Sequence, residues 1–394
     1  MKTNYYKIIS KPINHSIMEQ SLLDVTDKHN NSLFPWRGQF TPDFAVNMIS
    51  TFSSKNSILL DPFAGSGNSL YAGILNKIPS FGVELNPAAF FMSNFFVMAK
   101  LTIEQRKTII NKVQHLLDSC LFSDQIISII LKDINTQTDN IVKTLESLLI
   151  VLLDIKDKSK VNYIEIEKKW SQISEKIMAL PVFNKDIKVY RGDIRSIHAY
   201  PKKPNLVFTS PPYINVFNYH QNYRKSVELL GYNVLNIAKK EFGSNRRNRS
   251  NRFKTVTEYC IDMSLSINSI LNSIQFNSTI IFVIGRQSNI LGIPIYNSNI
   301  VNSIFSSIFN LSLNIHQERK FTNKFGNIVY EDILHFKYNK KNKLAVETII
   351  DQAKILAKNV LQDALERAKH SDEKIITLLT EAINGVESIN PSPN

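Results

Sequence analysis

Apolar runs of strand length and stretches of helical spacing alternate along the chain in an order that predicts an α/β fold. Residues 57–60 (Ser-Ile-Leu-Leu) read as a buried strand, and a helical pattern at 68–75 follows a turn containing Gly65 and Gly67. A second strand is expected at 80–83, ending in Glu84. An apolar run, a glycine turn, a helix and a further apolar run make a βαβ unit. From about Thr102 to Leu180 the spacing turns helical, with Ile103, Ile109, Ile110, Val113, Leu116 and Leu117, then Val142, Leu145, Leu148, Leu149 and Leu152. No glycine occurs between Gly82 and Gly192, so this stretch reads as an insertion of several helices. Strands resume at 187–190, just before Asp193, and at 205–209, just before Ser210-Pro211-Pro212-Tyr213. A helix around 258–273 precedes a strand at 279–284, and 311–318 and 328–338 read as a closing pair. Helical spacing returns from Leu344 to about Glu387.

The expected fold is therefore a Rossmann-like α/β sheet, mostly parallel, with helices on both faces and an antiparallel closing strand, plus a helical insertion. Residues 30–100 and 185–340 form the expected α/β domain. Residues 101–184 form the insertion, and 341–394 a helical C-terminal extension.

Composition narrows the partners. Lys and Arg number 47 against 34 Asp and Glu, a net charge of +13 over 394 residues. That excess favours a polyanion, either nucleic acid or an anionic membrane surface. The longest apolar run, 148–153, is far shorter than the ~18 residues a membrane span needs, and MKTNYYKIIS has no apolar core of a secretory signal. Nucleic acid is thus the expected partner, with no membrane, in the cytoplasm. Two cysteines, Cys120 and Cys260, exclude a disulfide framework.

Four constellations carry chemistry. The heptapeptide Asp61-Pro62-Phe63-Ala64-Gly65-Ser66-Gly67 ends a strand on small residues, where a ligand can approach the backbone closely. Free N–H groups at the next helix start can face a carboxylate or phosphate, and Asp61 can accept from an ammonium or hydroxyl. Glu84, in Gly82-Val83-Glu84-Leu85-Asn86-Pro87, lies about 20 residues beyond the turn, the spacing at which an acid binds ribose hydroxyls. Asp193 ends a third strand, where its carboxylate either meets an adenine amine or caps a helix. Ser210-Pro211-Pro212-Tyr213 follows a fourth strand. Two prolines fix an extended backbone and remove two N–H donors, leaving acceptors and an aromatic face for a planar base. Acceptors on the hydrogens of a ring-conjugated amine localise its lone pair and turn it toward attack.

DPFAGSG, then GVELNP, then TSPPY resemble the S-adenosylmethionine-dependent amino-methylating DNA methyltransferases, over most of residues 30–340. The resemblance implies that the glycine loop cradles the methionine part of the cofactor, that Glu84 binds its ribose and that the residue at Asp193 touches its adenine amine. The upstream stretch Phe34-Pro35-Trp36-Arg37-Gly38-Gln39-Phe40 resembles the family's aromatic-glycine-aromatic cofactor motif. The cofactor residues it implies are Phe34, Gly38, Phe40, Asp61, Phe63, Ala64, Gly65, Ser66, Gly67, Glu84, Asn86 and Asp193. Ser210, Pro211, Pro212 and Tyr213 are then the catalytic loop, with Tyr213 stacking on a base flipped out of the duplex. Serine before Pro-Pro-Tyr is most like the cytosine-N4 members, while adenine-N6 members more often carry Asp or Asn. The expected activity is methylation of cytosine N4 in double-stranded DNA, within a restriction-modification or related defence system of a prokaryote that includes a separate endonuclease or other subunits. Adenine-N6 methylation, an RNA amino-methyltransferase and a catalytically silent nucleic-acid-binding subunit are the alternatives.

Residues 244–254 carry five basic side chains, Arg246, Arg247, Arg249, Arg252 and Lys254, and no acid. Phosphate contact is their expected role, and Asn and Arg there can also read base edges. Tyr219 and Arg224, in an aromatic and basic stretch just after the catalytic loop, are expected at the nucleic acid as well. The eight histidines show no metal-ligand spacing, and no metal is expected.

Overall fold

The computed structural model describes residues 5–26, 29, 31–121, 125–157, 161–197, 199–214, 218–241, 248–323, 326–341 and 343–393. Each expected strand forms close to its sequence bounds: β1 Leu59–Asp61, β2 Ser80–Glu84, β3 Ile187–Arg191, β4 Leu206–Thr209 and β5 Thr279–Gly285. Two short strands, β6 Ser288–Ile290 and β7 Ile293–Ile295, pair as a separate hairpin, and β8 Leu313–Thr322 and β9 Ile328–Lys337 follow. Among the described residues the main sheet has the order β3-β2-β1-β4-β5-β9-β8. Strands β1 to β5 run parallel, and β9 enters between β5 and β8 antiparallel to both. This is the mostly parallel sheet with an antiparallel closing strand that the sequence predicts.

Both faces of the sheet are buried, and alternation along each strand assigns residues to one or the other. Leu60, Val207, Ile280, Phe282 and Ile284 pack with the long helices Lys254–Ser273 and Val346–Arg367. Leu59, Leu206, Phe208, Ile281 and Val283 pack on the opposite face with Phe44 and Met48 of the helix Pro42–Phe52. Strands covered on both faces need no polar alternation, which is why 280–284 reads as a continuous apolar run.

Among its described residues the insertion forms four helices, Ile103–Asp118, Ile126–Thr136, Asn140–Leu152 and Tyr163–Ala179. Their apolar stripes share one core with Ile187 and Val189 of β3, Leu70, Ile74 and Ala88. Arg106, fully buried, ties the first of these helices to the chain leaving the last. Its guanidinium donates to the carbonyls of Leu101, Ala99, Ile177 and Pro181 at 3.0–3.2 Å, and to that of Leu180. A guanidinium at a helix C-terminus satisfies carbonyls that have no partner within the helix.

The helix at 42–52 and the helix Asn297–Ser303 have no counterpart in the expected elements. The N-terminal segment, which falls outside the expected domain bounds, lies against the second of them, with Lys7 N–H donating to Ser303 Oγ at 2.8 Å. The C-terminal helices share the main core through Ile349, Leu356, Leu361, Leu379 and Ala382. Among the described residues no helix is long and apolar enough to cross a membrane.

Candidate active site

The strand order reverses between β1 and β4, and a crevice at the carboxyl ends of such strands is the usual ligand position in doubly wound sheets. A cleft enclosing about 900 Å³ of empty space, open solvent at its mouth included, lies there.

The turn after β1 forms its floor. Asp61 is buried, and its carboxylate accepts from Phe63 N–H at 3.0 Å, from Thr209 Oγ1 at 2.6 Å and from Ser69 Oγ. It therefore binds the glycine turn to β4 and to the following helix, Asn68–Leu75, while still lining the cleft. Burial pushes its carboxyl up to about 6, against the lowering effect of those three bonds. Gly65 has φ +54°, and a Cβ there would stand 3.3 Å from Trp36 Cδ1.

Glu84 closes the turn from the end of β2. Its carboxylate accepts Gly65 N–H at 2.8 Å and Asn86 N–H at 2.7 Å. Burial, with the charges of Asp61 and Glu241 adding to it, raises this carboxyl to about 8. Asn86 caps the helix Pro87–Asn94 by accepting Ala88 N–H at 2.9 Å, and its Nδ2 donates to the Tyr219 carbonyl at 3.2 Å.

The upstream stretch folds over the turn. Asn68 Nδ2 donates to the Phe40 carbonyl at 2.7 Å and to Gln39 Oε1 at 3.3 Å, and Ser66 Oγ donates to Gln39 Oε1. These bonds place Trp36, Arg37, Gly38, Gln39 and Phe40 on the cleft wall. Trp36 stacks on Tyr219 with ring centroids 6.0 Å apart and planes 14° apart.

Of the expected cofactor residues, Gly38, Phe40, Asp61, Phe63, Ala64, Gly65, Ser66, Glu84, Asn86 and Asp193 line this one cleft. Phe34 and Gly67 do not. Phe34 is buried edge-on against Phe95, ring centroids 4.9 Å apart, because the chain turns back into the helical core there. Gly67 faces away from the cleft: a Cβ would meet the Phe96 ring at 2.7 Å and Ser93 Cα at 2.9 Å. Asp193 takes its helix-capping form, accepting Arg195 N–H at 2.9 Å, and is paired with the buried Arg195 guanidinium, which also holds Asp262. Its carboxylate reaches the cleft already bonded within the protein.

The fourth-strand loop meets the cleft through Ser210 and Pro212, whereas Pro211 and Tyr213 do not line it. Tyr213 instead lays its ring on Gly285, where a Cβ would be 2.8 Å from the ring. Its hydroxyl donates to Glu331 Oε1 at 2.9 Å and lies 3.0 Å from Ser210 Oγ. The expected stacking face is thus packed against β5.

The expected nucleic-acid residues divide. Tyr219 is at the cleft wall. Arg224 is on the surface, paired with Glu228 one helical turn on at 2.9 Å. Arg246 and Arg247 lie outside the described residues. Arg249 and Arg252 are exposed. Asn251, in the same loop, is buried and donates to the Leu378 carbonyl at 2.8 Å, so it holds the C-terminal helix rather than facing a base.

Sequence reasoning missed Glu241. It lines the cleft from the end of the short helix Val234–Lys240 and accepts from His220 Nδ1 or ion-pairs with it at 2.7 Å. It sits in no motif, and only folding brings it opposite Glu84. Trp36 carried a signal, since it lies within the aromatic stretch before the glycine turn.

Among the described residues four acidic side chains line the cleft, Asp61, Glu84, Glu241 and the Arg195-paired Asp193, with Arg37 as the cationic side chain on its wall. Carboxyls raised by burial are relieved by a cationic ligand, which stabilises their ionised form.

No protein-family model and no curated protein matches the chain. Among solved structures, TrmN from Thermus thermophilus is similar over 77% of this chain and 50% of its own, at 9% identity and a TM-score of 0.33. This chain thus spans half the length of that relative. The rRNA methyltransferase aviRa from Streptomyces viridochromogenes is similar over 88% of this chain and 98% of its own, at 12% identity and a TM-score of 0.31.

Proposed function

We propose that the chain is an S-adenosylmethionine-dependent methyltransferase that modifies the exocyclic amine of a nucleobase, with cytosine N4 in duplex DNA as its target. One observation carries the reading: Ser210 and Pro212 of the Ser-Pro-Pro-Tyr loop open into the same cleft as the glycine turn and Glu84. A cofactor held on the turn and an amine held at Ser210 then share one space.

The residues suit that cofactor. It is a cation at its sulfonium and its ammonium, and the cleft offers Asp61, Glu84 and Glu241 to positive charge. The Gly65 turn leaves room for close approach, and Trp36 and Phe40 supply apolar wall. When bound, the cofactor supplies an electrophilic methyl group. The chain's own work is positioning and electrostatic preorganisation. Ser210 Oγ and the carbonyls of the proline loop accept the N–H bonds of the amine and turn its lone pair toward the cofactor. Pro211 and Pro212 keep donors away from that lone pair. The target base must leave the duplex to reach this depth.

Ser210 supports cytosine over adenine because it offers a neutral hydroxyl where adenine-modifying relatives usually place a carboxylate or amide. The net charge of +13 supports a nucleic-acid substrate. Arg249, Arg252 and Arg224 are the proposed contacts to its backbone.

The test is mass spectrometry of nucleosides from duplex DNA and from total RNA after incubation with the chain and methyl-labelled cofactor. Label in N4-methylcytosine of DNA is expected. Label in N6-methyladenine overturns the base assignment, and label in RNA alone overturns the DNA assignment. Label in C5-methylcytosine overturns the amine chemistry, since that reaction needs a nucleophilic cysteine, and both cysteines are buried and neither belongs to the loop.

A further inference from the structure

Ser210, Tyr213 and Glu331 form a chain of hydrogen bonds that runs from the cleft into the closing strand β9. Ser210 Oγ lies 3.0 Å from Tyr213 Oη, and Tyr213 Oη lies 2.9 Å from Glu331 Oε1. Glu331 is buried and paired with Arg319 across the β8–β9 ladder at 3.2 Å. The Tyr213 hydroxyl has a single proton, and it donates that proton to Glu331 Oε1. Burial and the neighbouring Glu331 charge hold that phenol protonated, well above its ordinary range. With its proton committed, Tyr213 Oη can only accept from Ser210, so the Ser210 proton points away from the cleft. The lone pairs of Ser210 Oγ are left facing the cleft, as acceptors. Gly285 allows this arrangement, since any Cβ there would collide with the Tyr213 ring.

We infer that Glu331 is a positioning residue that turns Ser210 into an obligate acceptor and takes the proton the substrate amine must lose. The inference rests on the amine-methylating activity proposed above. In the step, the amine lone pair forms the new N–C bond to the methyl carbon while the C–S bond breaks and its electron pair stays on sulfur. The nitrogen gives one proton to Ser210 Oγ. Ser210 passes its own proton to Tyr213 Oη, and Tyr213 passes its proton to Glu331, which ends neutral. No proton acceptor outside this chain is needed, and the net proton count is conserved.

Three variants test the relay: Tyr213→Phe, which keeps the ring on Gly285 but cuts the chain, Glu331→Gln, which keeps an acceptor but cannot take a proton, and Glu331→Asp, which keeps the carboxylate. Single-turnover methyl transfer is measured alongside cofactor affinity by calorimetry and affinity for an oligonucleotide substrate without turnover. Loss of a positioned proton acceptor slows transfer by on the order of a hundredfold or more. That loss is expected in Tyr213→Phe and Glu331→Gln with both affinities unchanged, and Glu331→Asp is expected to recover rate relative to Glu331→Gln. Transfer by folded Glu331→Gln or Tyr213→Phe at the wild-type rate overturns the relay alone. Slow transfer that tracks a matching loss of affinity also overturns it, because the residues then serve only to bind. A wild-type chain that methylates no amine overturns the proposed activity and the relay with it.

Discussion

The Glu84 carboxylate accepts the Gly65 backbone N–H at 2.8 Å, so the acidic end of β2 closes the glycine turn that follows β1. Both features are legible in the sequence 19 residues apart, but their bond makes them one device. A ligand on the turn meets a carboxylate whose proton affinity has been raised by burial to about 8.

Stability and binding should respond to pH in opposite directions. In the unfolded chain Glu84 titrates near 4.5, and in the folded chain near 8. Between those values the folded state binds the extra proton, so its contribution is full below the lower value and is lost as pH rises toward the upper one. Asp61 adds the same sign between 3.8 and about 6. Thermal unfolding of the ligand-free chain should therefore fall from about pH 4.5 to about pH 8, and Glu84→Gln should flatten that fall. A cationic cofactor favours the ionised carboxylate, so its stabilising shift should grow over the same range. Differential scanning fluorimetry with and without S-adenosylmethionine checks both slopes.

The two glycines of the turn should separate binding from folding. Gly65→Val places a branched side chain against Trp36 in a left-handed conformation and should weaken cofactor binding by roughly tenfold or more, about 1.4 kcal/mol or above, in a chain that still folds. Gly67→Ala meets Phe96 and the Ser93 backbone at under 3 Å and should lower stability by about 1–3 kcal/mol. Calorimetry and denaturant titration on both variants measure the contrast.

Nucleic-acid affinity should be strongly salt-dependent. Each phosphate neutralised contributes roughly −0.9 to the slope of log affinity against log salt. Changing Arg249 and Arg252 together to Ala should flatten that slope by up to ~2 units and weaken all sequences alike. A changed methylation pattern instead would assign these arginines to base reading.

Arg106 should be needed for the fold rather than for the reaction. Arg106→Ala leaves several buried carbonyls without a donor at the junction of the insertion and the sheet, and should cost about 2–3 kcal/mol. Folded material should keep wild-type cofactor affinity, measured by calorimetry below its unfolding transition.

The strands were legible because each is a short apolar run ended by a turn residue, and burial on both faces demands such runs. The glycine turn, Glu84, Asn86 and Ser210 were legible because motif residues at strand ends are neighbours in a parallel sheet whatever lies between them. The 101–184 insertion showed its helices through spacing alone, but not the core it shares with Ile187 and Val189 of β3.

What the sequence determined by itself is thus the α/β class, the strand order of events along the chain and most of the cleft's floor, since these depend on local pattern. The tertiary structure decided which way each side chain faces. Gly67 and Phe34 belong to the packing rather than to the cleft, Asp193 is spent on Arg195, and Tyr213 lies on Gly285 with its hydroxyl on Glu331. Glu241 and Glu331 stand 31 and 121 residues beyond Ser210 in the chain, and no local pattern marks them. They reach the site because the helix at 234–240 packs against the 219–221 turn, where His220 holds Glu241, and β9 inserts beside β5, and distant pairings of that kind are set by the packing of the whole chain.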